Sequence, residues 1–452
     1  MVIVEDITEE DERMGCSLEE LLLDIQDLSK RLVVPSSLLP DFMKQIGGEV
    51  EVQEYLQRTL ETLGQLSFKI KEVDRDWGWE QVSAERCAEL LQNIVRLYGE
   101  DQWRSPIICQ HIEDLSLHFP SILPLALLST LRPYFAPHPN LSSASRAALR
   151  PTGGKESIMD LHESQPFKSA MAWGVHNILS WSASKLKSQD VEKHIGLLLP
   201  PTLVMMDDWE PAWREIGAVA LEKWVLKLNP EVLKRMGLEK LLLKSLLHTL
   251  TLHPSPPLRK VLPITLKTLQ HSIPEGRERT IVYSEVIENK FIQGWTYAPS
   301  GLEGREVLIN IAEELQVMCD IMGVGIVRWF KTIIPCLLDP LQYIPTPVVI
   351  PHYIANLKAL LCLMQMTRST GRISRWRGQM INILARLFVQ SQERKGIEDP
   401  KEAALLKPIE SLIRRVFEEL SDQVPSVKQE EFIHLLSITN NDFGGLIGST
   451  II

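Results

Sequence analysis

The chain has 452 residues, of which 44% are hydrophobic and 23% charged, and carries a formal net charge of −10. This composition supports a packed core and excludes collagen-like or low-complexity classes. The acidic balance argues against non-specific nucleic-acid binding, whose affinity comes from phosphate neutralisation.

The opening MVIVEDITEEDER is acidic and lacks the basic and apolar order of a secretory signal. Residues 1–16 therefore read as a disordered acidic leader with nothing to bury. The six cysteines, Cys16, Cys87, Cys109, Cys319, Cys336 and Cys362, form no CxxC pair and lack metal-ligand spacing, as expected for reduced intracellular thiols.

An N-terminal helical region is expected over 17–135. It opens with a Ser-x-x-Glu capping box, Ser17 to Glu20, ahead of the apolar run LEELLLDIQDL. Further helices are expected around 52–72, 83–98 and 105–118. Residues 136–168, rich in Pro, Ser and Gly, read as a long loop or linker and as the best candidate boundary.

From 169 to 422 turn landmarks recur at Glu210-Pro211, Pro256-Pro257, Ser300-Gly301, Thr346-Pro347 and Asp399-Pro400, spaced 46, 44, 46 and 53 residues apart. That period belongs to stacked helical pairs, placed at about 191–228, 238–273, 280–322, 325–368 and 373–420, after a lone helix near 167–187. In the first pair Trp213, Ile216, Ala220, Trp224 and Leu228 fall on one helical stripe with Glu215 and Glu222 opposite. In the second, Leu258, Val261, Leu262, Thr265, Leu269 and Ile273 repeat the pattern, with Lys260 and Lys267 facing away. A single hairpin buries little, so its neighbours complete the core. The expected fold is an all-α, HEAT/armadillo-like helical-repeat solenoid, followed by a C-terminal helix and tail over 423–452. Thr332 to Leu357 is poor in charge but holds five prolines, which disqualifies it as a membrane helix.

The motifs that carry chemistry are incomplete. Gly153-Gly154-Lys155 lacks the Ser or Thr that follows the lysine of a phosphate loop, and Gly323-Val324-Gly325 lacks the third glycine of a dinucleotide turn and reads as a helix break. In LHESQ, at Leu161 to Gln165, the second histidine of a zinc-protease helix would fall on Pro166. His248 and His253 stand five apart, off a shared helical face. No catalytic residue, cofactor or metal is therefore expected. Asp207-Asp208 reads as a turn that bonds its own backbone. Arg368, Arg372, Arg375 and Arg377 beside Trp376 form the one locally basic stretch, suited to an acidic protein segment. Trp209, Arg372, Arg375, Trp376 and Arg377 are the expected partner contacts; Asp207, Asp208 and Gly217 are the expected structural turn.

The segments HIGLLLPPTLVMMDDWEPAWREIGAVALEKWV and MGLEKLLLKSLLHTLTLHPSPPLRKVLPITLKTL resemble the Tel-two-interacting protein Two family. The shared elements are the Leu-rich helix ending in Asp207-Asp208, then Arg214 and Gly217, the Gly237-Leu238 helix start and the step from Leu250 to Pro257; His253 before Pro254 and a shortened proline-rich step depart from the pattern. The resemblance spans roughly 190–390. It implies a non-catalytic, cytoplasmic and nuclear scaffold of the Triple T complex. The implied partners are its two sister subunits and, indirectly, the ninety-kilodalton heat-shock chaperone and the phosphatidylinositol-3-kinase-related kinases that the complex matures, with no nucleic acid and no membrane. A transport or trafficking adaptor would use the same kind of surface and would recover a small GTPase or coat protein. A base-extruding glycosylase would bind DNA through Arg372, Arg375 and Arg377 and release it with salt. Gly217 sits where two helices of one pair are expected to meet, so Gly217→Leu should overpack the junction and cost about 1–3 kcal/mol in urea unfolding; unchanged melting would place Gly217 in solvent.

Overall fold

The computed structural model describes residues 17–39, 49–99, 101, 105–135, 165–251, 258–395, 400–438, 443 and 446–447. Among them there is no β-strand, and the chain is of the all-α helical-repeat class. It divides into two compact units, Met1–Met236 and Gly237–Ile452.

The first unit holds α1 (Leu18–Arg31), α2 (Glu49–Glu72), α3 (Ala84–Arg96), α4 (Pro106–Ser116), α5 (Leu123–Thr130), α6 (Val175–Lys185), α7 (Ser188–Lys193), α8 (Ile195–Met206), α9 (Pro211–Val225) and α10 (Pro230–Arg235). Their starts follow from local chemistry. Ser17 and Glu20 form the expected reciprocal capping box, and Ser83 and Ser105 cap α3 and α4. Pro211 and Pro230 occupy first turns, where a missing N–H costs nothing. Each helix packs on neighbours one to three elements away: α1 on α2 and α3, α3 on α5 and α6, α6 on α9, and α8 on α9.

The lone helix expected near 167–187 is shorter. Two 3-10 turns, Pro166–Lys168 and Ala170–Ala172, precede it, and Gly174 starts α6 from a left-handed conformation at φ 65°. A side chain at Gly174 would strike the Arg96 carbonyl at 2.6 Å, so glycine answers both demands. The chain on both sides of the expected linker belongs to this unit, since α5 packs on α6 and the turn Arg132–Tyr134 on Pro166–Lys168. Residues 1–16 and 136–164 lie outside the described residues. The helix Leu123–Thr130 has no counterpart among the expected elements: eight residues of nearly uniform apolarity show no helical period.

The second unit holds α11 (Leu238–Thr251), α12 (Leu258–Ser272), α13 (Arg277–Val286), α14 (Gln293–Tyr297), α15 (Leu302–Met322), α16 (Phe330–Leu338), α17 (Ile350–Met366), α18 (Arg377–Lys395), α19 (Pro400–Gln423), α20 (Ser426–Gln429) and α21 (Glu431–Ile438). A π-helical segment, Ile287–Ile292, joins α13 to α14. The expected pairs over 238–273, 280–322, 325–368 and 373–420 correspond to these helices. Consecutive packing of α12 on α15, α15 on α17 and α17 on α19 makes one row, flanked by α11, α14, α16 and α18.

The run Leu302–Gln342 has the overall length and apolarity of a membrane-crossing helix and overlaps the stretch singled out in the sequence only at Thr332–Gln342. Two α-helices share that run: α15, whose Glu303, Arg305, Glu306, Glu313, Glu314 and Asp320 are too many charges for a span, and α16, whose 9 residues are too few to cross. Gly323 ends α15 at φ 53° and a 3-10 segment, Gly323–Trp329, intervenes.

Helix C-termini in both units are closed by side chains from other elements. Tyr55 Oη donates to the Leu32 carbonyl at 2.7 Å and Asn93 Nδ2 to Ser29 at 3.2 Å, both at the end of α1. Asn177 Nδ2 donates to Arg96, the last residue of α3, at 2.7 Å. Lys227 Nζ meets three carbonyls at the end of α6, those of Ala183, Ser184 and Leu186, at 2.6–2.8 Å. In the second unit Lys290 Nζ donates to Leu250 of α11, Asn356 Nδ2 to Leu337 of α16 at 3.1 Å, and Gln423 Nε2 to Met364 of α17 at 2.8 Å.

Lys290 is 2% exposed, and burial pulls its ammonium down to about 7. An unfolded lysine titrates near 10.4, so between about pH 7 and 10.4 the unfolded chain holds a proton that the folded chain releases, and stability rises with pH across that window. Below it both states are protonated and the cost of burying the charge is felt in full. The stability of the wild type relative to Lys290→Met should therefore rise from pH 7 to pH 9 in urea titrations; parallel pH profiles would show that Lys290 is solvated.

Candidate interaction site

The paired-aspartate turn joins α8 to α9. Asp208 is buried, and its Oδ1 accepts from the Glu210 N–H at 2.8 Å, the backbone-bonding role expected of it. The Arg214 guanidinium, one turn into α9 and also buried, donates through Nε to the Asp208 carbonyl. Burial pulls Arg214 down from its usual range while Asp208 and Asp207 oppose that shift.

The sequence reading missed Lys168, forty residues away. Its Nζ reaches Asp208 Oδ1 at 2.8 Å and Glu210 Oε1 at 2.7 Å, and lies 5.3 Å from the centre of the Trp209 ring. Phe167 beside it is fully buried, stacked on Phe135 and edge-on to Trp213. Trp213 in turn meets His176 of α6 edge-on, and His176 Nε2 lies 3.2 Å from Asp101. Asp101 is half-buried, and its partial desolvation would push the carboxyl up, but the His176 charge and hydrogen bonds from His176 and Asn177 outweigh this and hold it below the usual range. The only sequence signal for Lys168 was a lysine beside an aromatic at the end of a polar stretch, which fits many loops.

Trp209 is 46% exposed, with Lys168 on one face of the ring. It is thus a partly accessible aromatic on a turn fixed by the ion pair of half-buried Lys168 with buried Asp208. Asp207 is exposed. Gly217 marks the closest approach of α9 to α8: a Cβ there would lie 2.7 Å from the Met206 nitrogen and 3.0 Å from Met205 Cβ. The expected stripe on α9 is wider than the sequence suggested, because Arg214, Gly217, Ala218, Leu221 and Val225 are buried as well as Trp213, Ala220 and Trp224, while Ile216 is half-buried. A helix inside a stack is covered by more than one neighbour.

The arginine stretch lies in the second unit, between α17 and α18. It is not uniformly free. Arg368 pairs with both carboxylate oxygens of Glu419 at 2.8 Å, and Arg377 pairs with Glu430 at 3.1 Å and Glu431 at 2.7 Å. These two arginines fasten the loop to α19 and to the residues around the start of α21. Arg372 and Arg375 are exposed on the 3-10 turn Arg372–Trp376. With three residues per turn, positions i and i+3 eclipse, so the two guanidinium stems rise from one side. Trp376 is half-buried. The same unit also exposes Tyr343, Ile344 and Val348 on the turn before α17, read in the sequence only as a proline landmark.

No group of three or more His, Cys, Asp or Glu side chains placed to hold a metal ion occurs among the described residues. His248 is exposed, while His253 and Pro254 to Pro257 lie outside the described residues.

Stacked hairpins, a turn presenting an aromatic and a second turn presenting two arginines define a helical-repeat protein that displays side chains on connections between helices. The model of the Tti2 family matches residues 90–347, more than half of the chain, and the chain belongs to that family, a family of non-catalytic scaffolds. The match begins within α3, about a hundred residues before the span over which the sequence resemblance was seen, and it ends before α17, so the arginine stretch lies outside it. No curated protein matches the chain.

The Lys168–Asp208 pair generates a direct test. Lys168→Met and Asp208→Asn should be non-additive in urea unfolding, with a coupling of about 0.5–3 kcal/mol, because the two groups are in direct contact: loss of Lys168 leaves the buried Asp208 carboxylate without that counter-charge, and loss of Asp208 leaves Lys168 with Glu210 alone. Additive effects would mean that the two groups are separately hydrated.

Proposed function

We propose that the protein is a non-catalytic scaffold subunit of the Triple T co-chaperone complex. In this role it works with its two sister subunits and, through them, with the ninety-kilodalton heat-shock chaperone to support maturation and stability of phosphatidylinositol-3-kinase-related kinases, in cytoplasm and nucleus. The observation that carries this reading is the family match over 90–347.

The physical features agree with it. Side chains presented on helix connections suit broad protein contacts, in which a few aromatic and arginine anchors supply most of the binding energy. Trp209 in the first unit, and Arg372, Arg375 and Trp376 in the second, are the proposed anchors, whereas Arg377 is taken up by Glu430 and Glu431. Affinity purification of the tagged chain should recover both sister subunits, and its depletion should lower the level of the kinases. Recovery without any kinase-maturation subunit contradicts the proposal. A double Arg372→Glu, Arg375→Glu change, at side chains already in solvent, should leave the circular dichroism unchanged and weaken recovery of a sister subunit about tenfold or more, the effect of about 1.4 kcal/mol. Full recovery would remove this turn from the interface.

A further inference from the structure

The turn between the 3-10 segment Asp339–Gln342 and α17 has the sequence Tyr343-Ile344-Pro345-Thr346-Pro347-Val348, without a charged residue. Tyr343 is 73% exposed, and Ile344 and Val348 are exposed with it. The backbone that carries them is fixed. The Tyr353 hydroxyl donates to the Tyr343 carbonyl at 3.1 Å, and the Val349 and Ile350 N–H groups donate to the Thr346 carbonyl at 2.9 and 3.2 Å. Pro345 and Pro347 restrict φ further. Apolar side chains held in solvent by such a backbone mark a contact surface, and little ordering is left for a partner to impose.

Arg305, in the first turn of α15, reaches the same turn, where its Nη1 donates to the Val348 carbonyl at 3.4 Å. Leu302, three residues earlier on the same helical face, is exposed. Arg305 is half-buried and makes no ion pair among the described residues. Glu303 and Glu306 stand two before it and one after it, off its helical face. Burial, and then the Arg305 charge, pull the buried His352 down to about 4, so His352 is neutral at pH 7 and adds no second cation. Apolar groups thus surround one guanidinium without a counter-ion. A surface that covers them also dehydrates the guanidinium, which is costly unless the charge is paired. A carboxylate meets that need with charge-assisted, bidentate hydrogen bonds.

We propose that Leu302, Arg305, Tyr343, Ile344 and Val348 form a docking surface for a partner-protein segment in which apolar side chains flank an aspartate or glutamate, with the carboxylate seated on Arg305. That the segment belongs to a sister subunit rests on the function proposed above. All five residues but Val348 lie within the span 90–347 that matches the family, whereas Arg372 and Arg375 lie beyond it. Tyrosine and arginine at the centre of such a surface supply most of its binding energy.

The test introduces a photo-crosslinking p-benzoylphenylalanine in place of Tyr343 in the full-length chain, co-produced with both sister subunits, and maps the linked peptide by mass spectrometry. A link to a sister-subunit segment with Asp or Glu among apolar residues is expected. Arg305→Glu and Tyr343→Ser should each lower recovery of that subunit about tenfold or more with unchanged circular dichroism. Arginine in place of the segment's carboxylate should restore recovery by Arg305→Glu. If Arg305→Glu does not fold, the crosslink and the exposed Tyr343→Ser change decide alone. No link, a link to a second copy of this chain or to a segment without a carboxylate, full recovery by the variants, or failure of the rescue overturns the docking surface and leaves membership of the Triple T complex standing. A wild-type chain that recovers no sister subunit overturns that membership and the docking surface with it.

Discussion

The end of an α-helix leaves backbone carbonyls without partners, and burying them unpaired is costly. In this chain that constraint is met at several helix ends from outside the helix. Polar side chains of other elements reach back to the ends of α1, α3, α6, α11, α16 and α17. A repeat built this way is finished only when another part of the unit is in place, so apolar stacking and backbone satisfaction impose the same order on the chain. Lysine serves this role twice because one ammonium has three donors, which Lys227 uses on three carbonyls.

The same economy governs the candidate interaction site. Lys168 neutralises two carboxylates at the α8–α9 turn and lies over Trp209, so one cation both closes the turn and places an aromatic at the surface. In the second unit Arg368 and Arg377 are bound to acidic residues and hold the loop, while Arg372 and Arg375 remain in solvent. A stretch that looks uniformly basic in one dimension is thereby split into anchors and exposed groups. Scaffolding asks for this division: the connection must be rigid before its side chains can bind a partner without a large ordering cost.

Much of the fold was legible because it rests on short-range signals. The capping box at Ser17, the caps at Ser83 and Ser105, Pro211 at the start of α9 and the break at Gly323 each act within one helical turn. The turn spacing exposed the repeats for the same reason. The α8–α9 junction was half legible. Gly217 and the backbone role of Asp208 follow from local pattern, but Lys168, Asp101 and His176 arrive from distant parts of the chain, and no spacing rule joins them. The helix Leu123–Thr130 was missed because it is apolar all round, which removes the periodicity that reveals a helix. The long-range C-caps were invisible too, since a lone Asn, Gln or Lys within a helix reads as a solvated residue until its neighbour is known.

If helix ends are completed by other elements, damage to a capping residue must appear in the helix that it caps. Amide hydrogen exchange of the full chain, wild type against Lys227→Met, measures this directly. Faster exchange should concentrate in α6, whose last carbonyls Lys227 closes, while α15 and α17 in the other unit keep their protection. Exchange in α6 that does not change, with any loss confined to the residues around 227, would contradict the account.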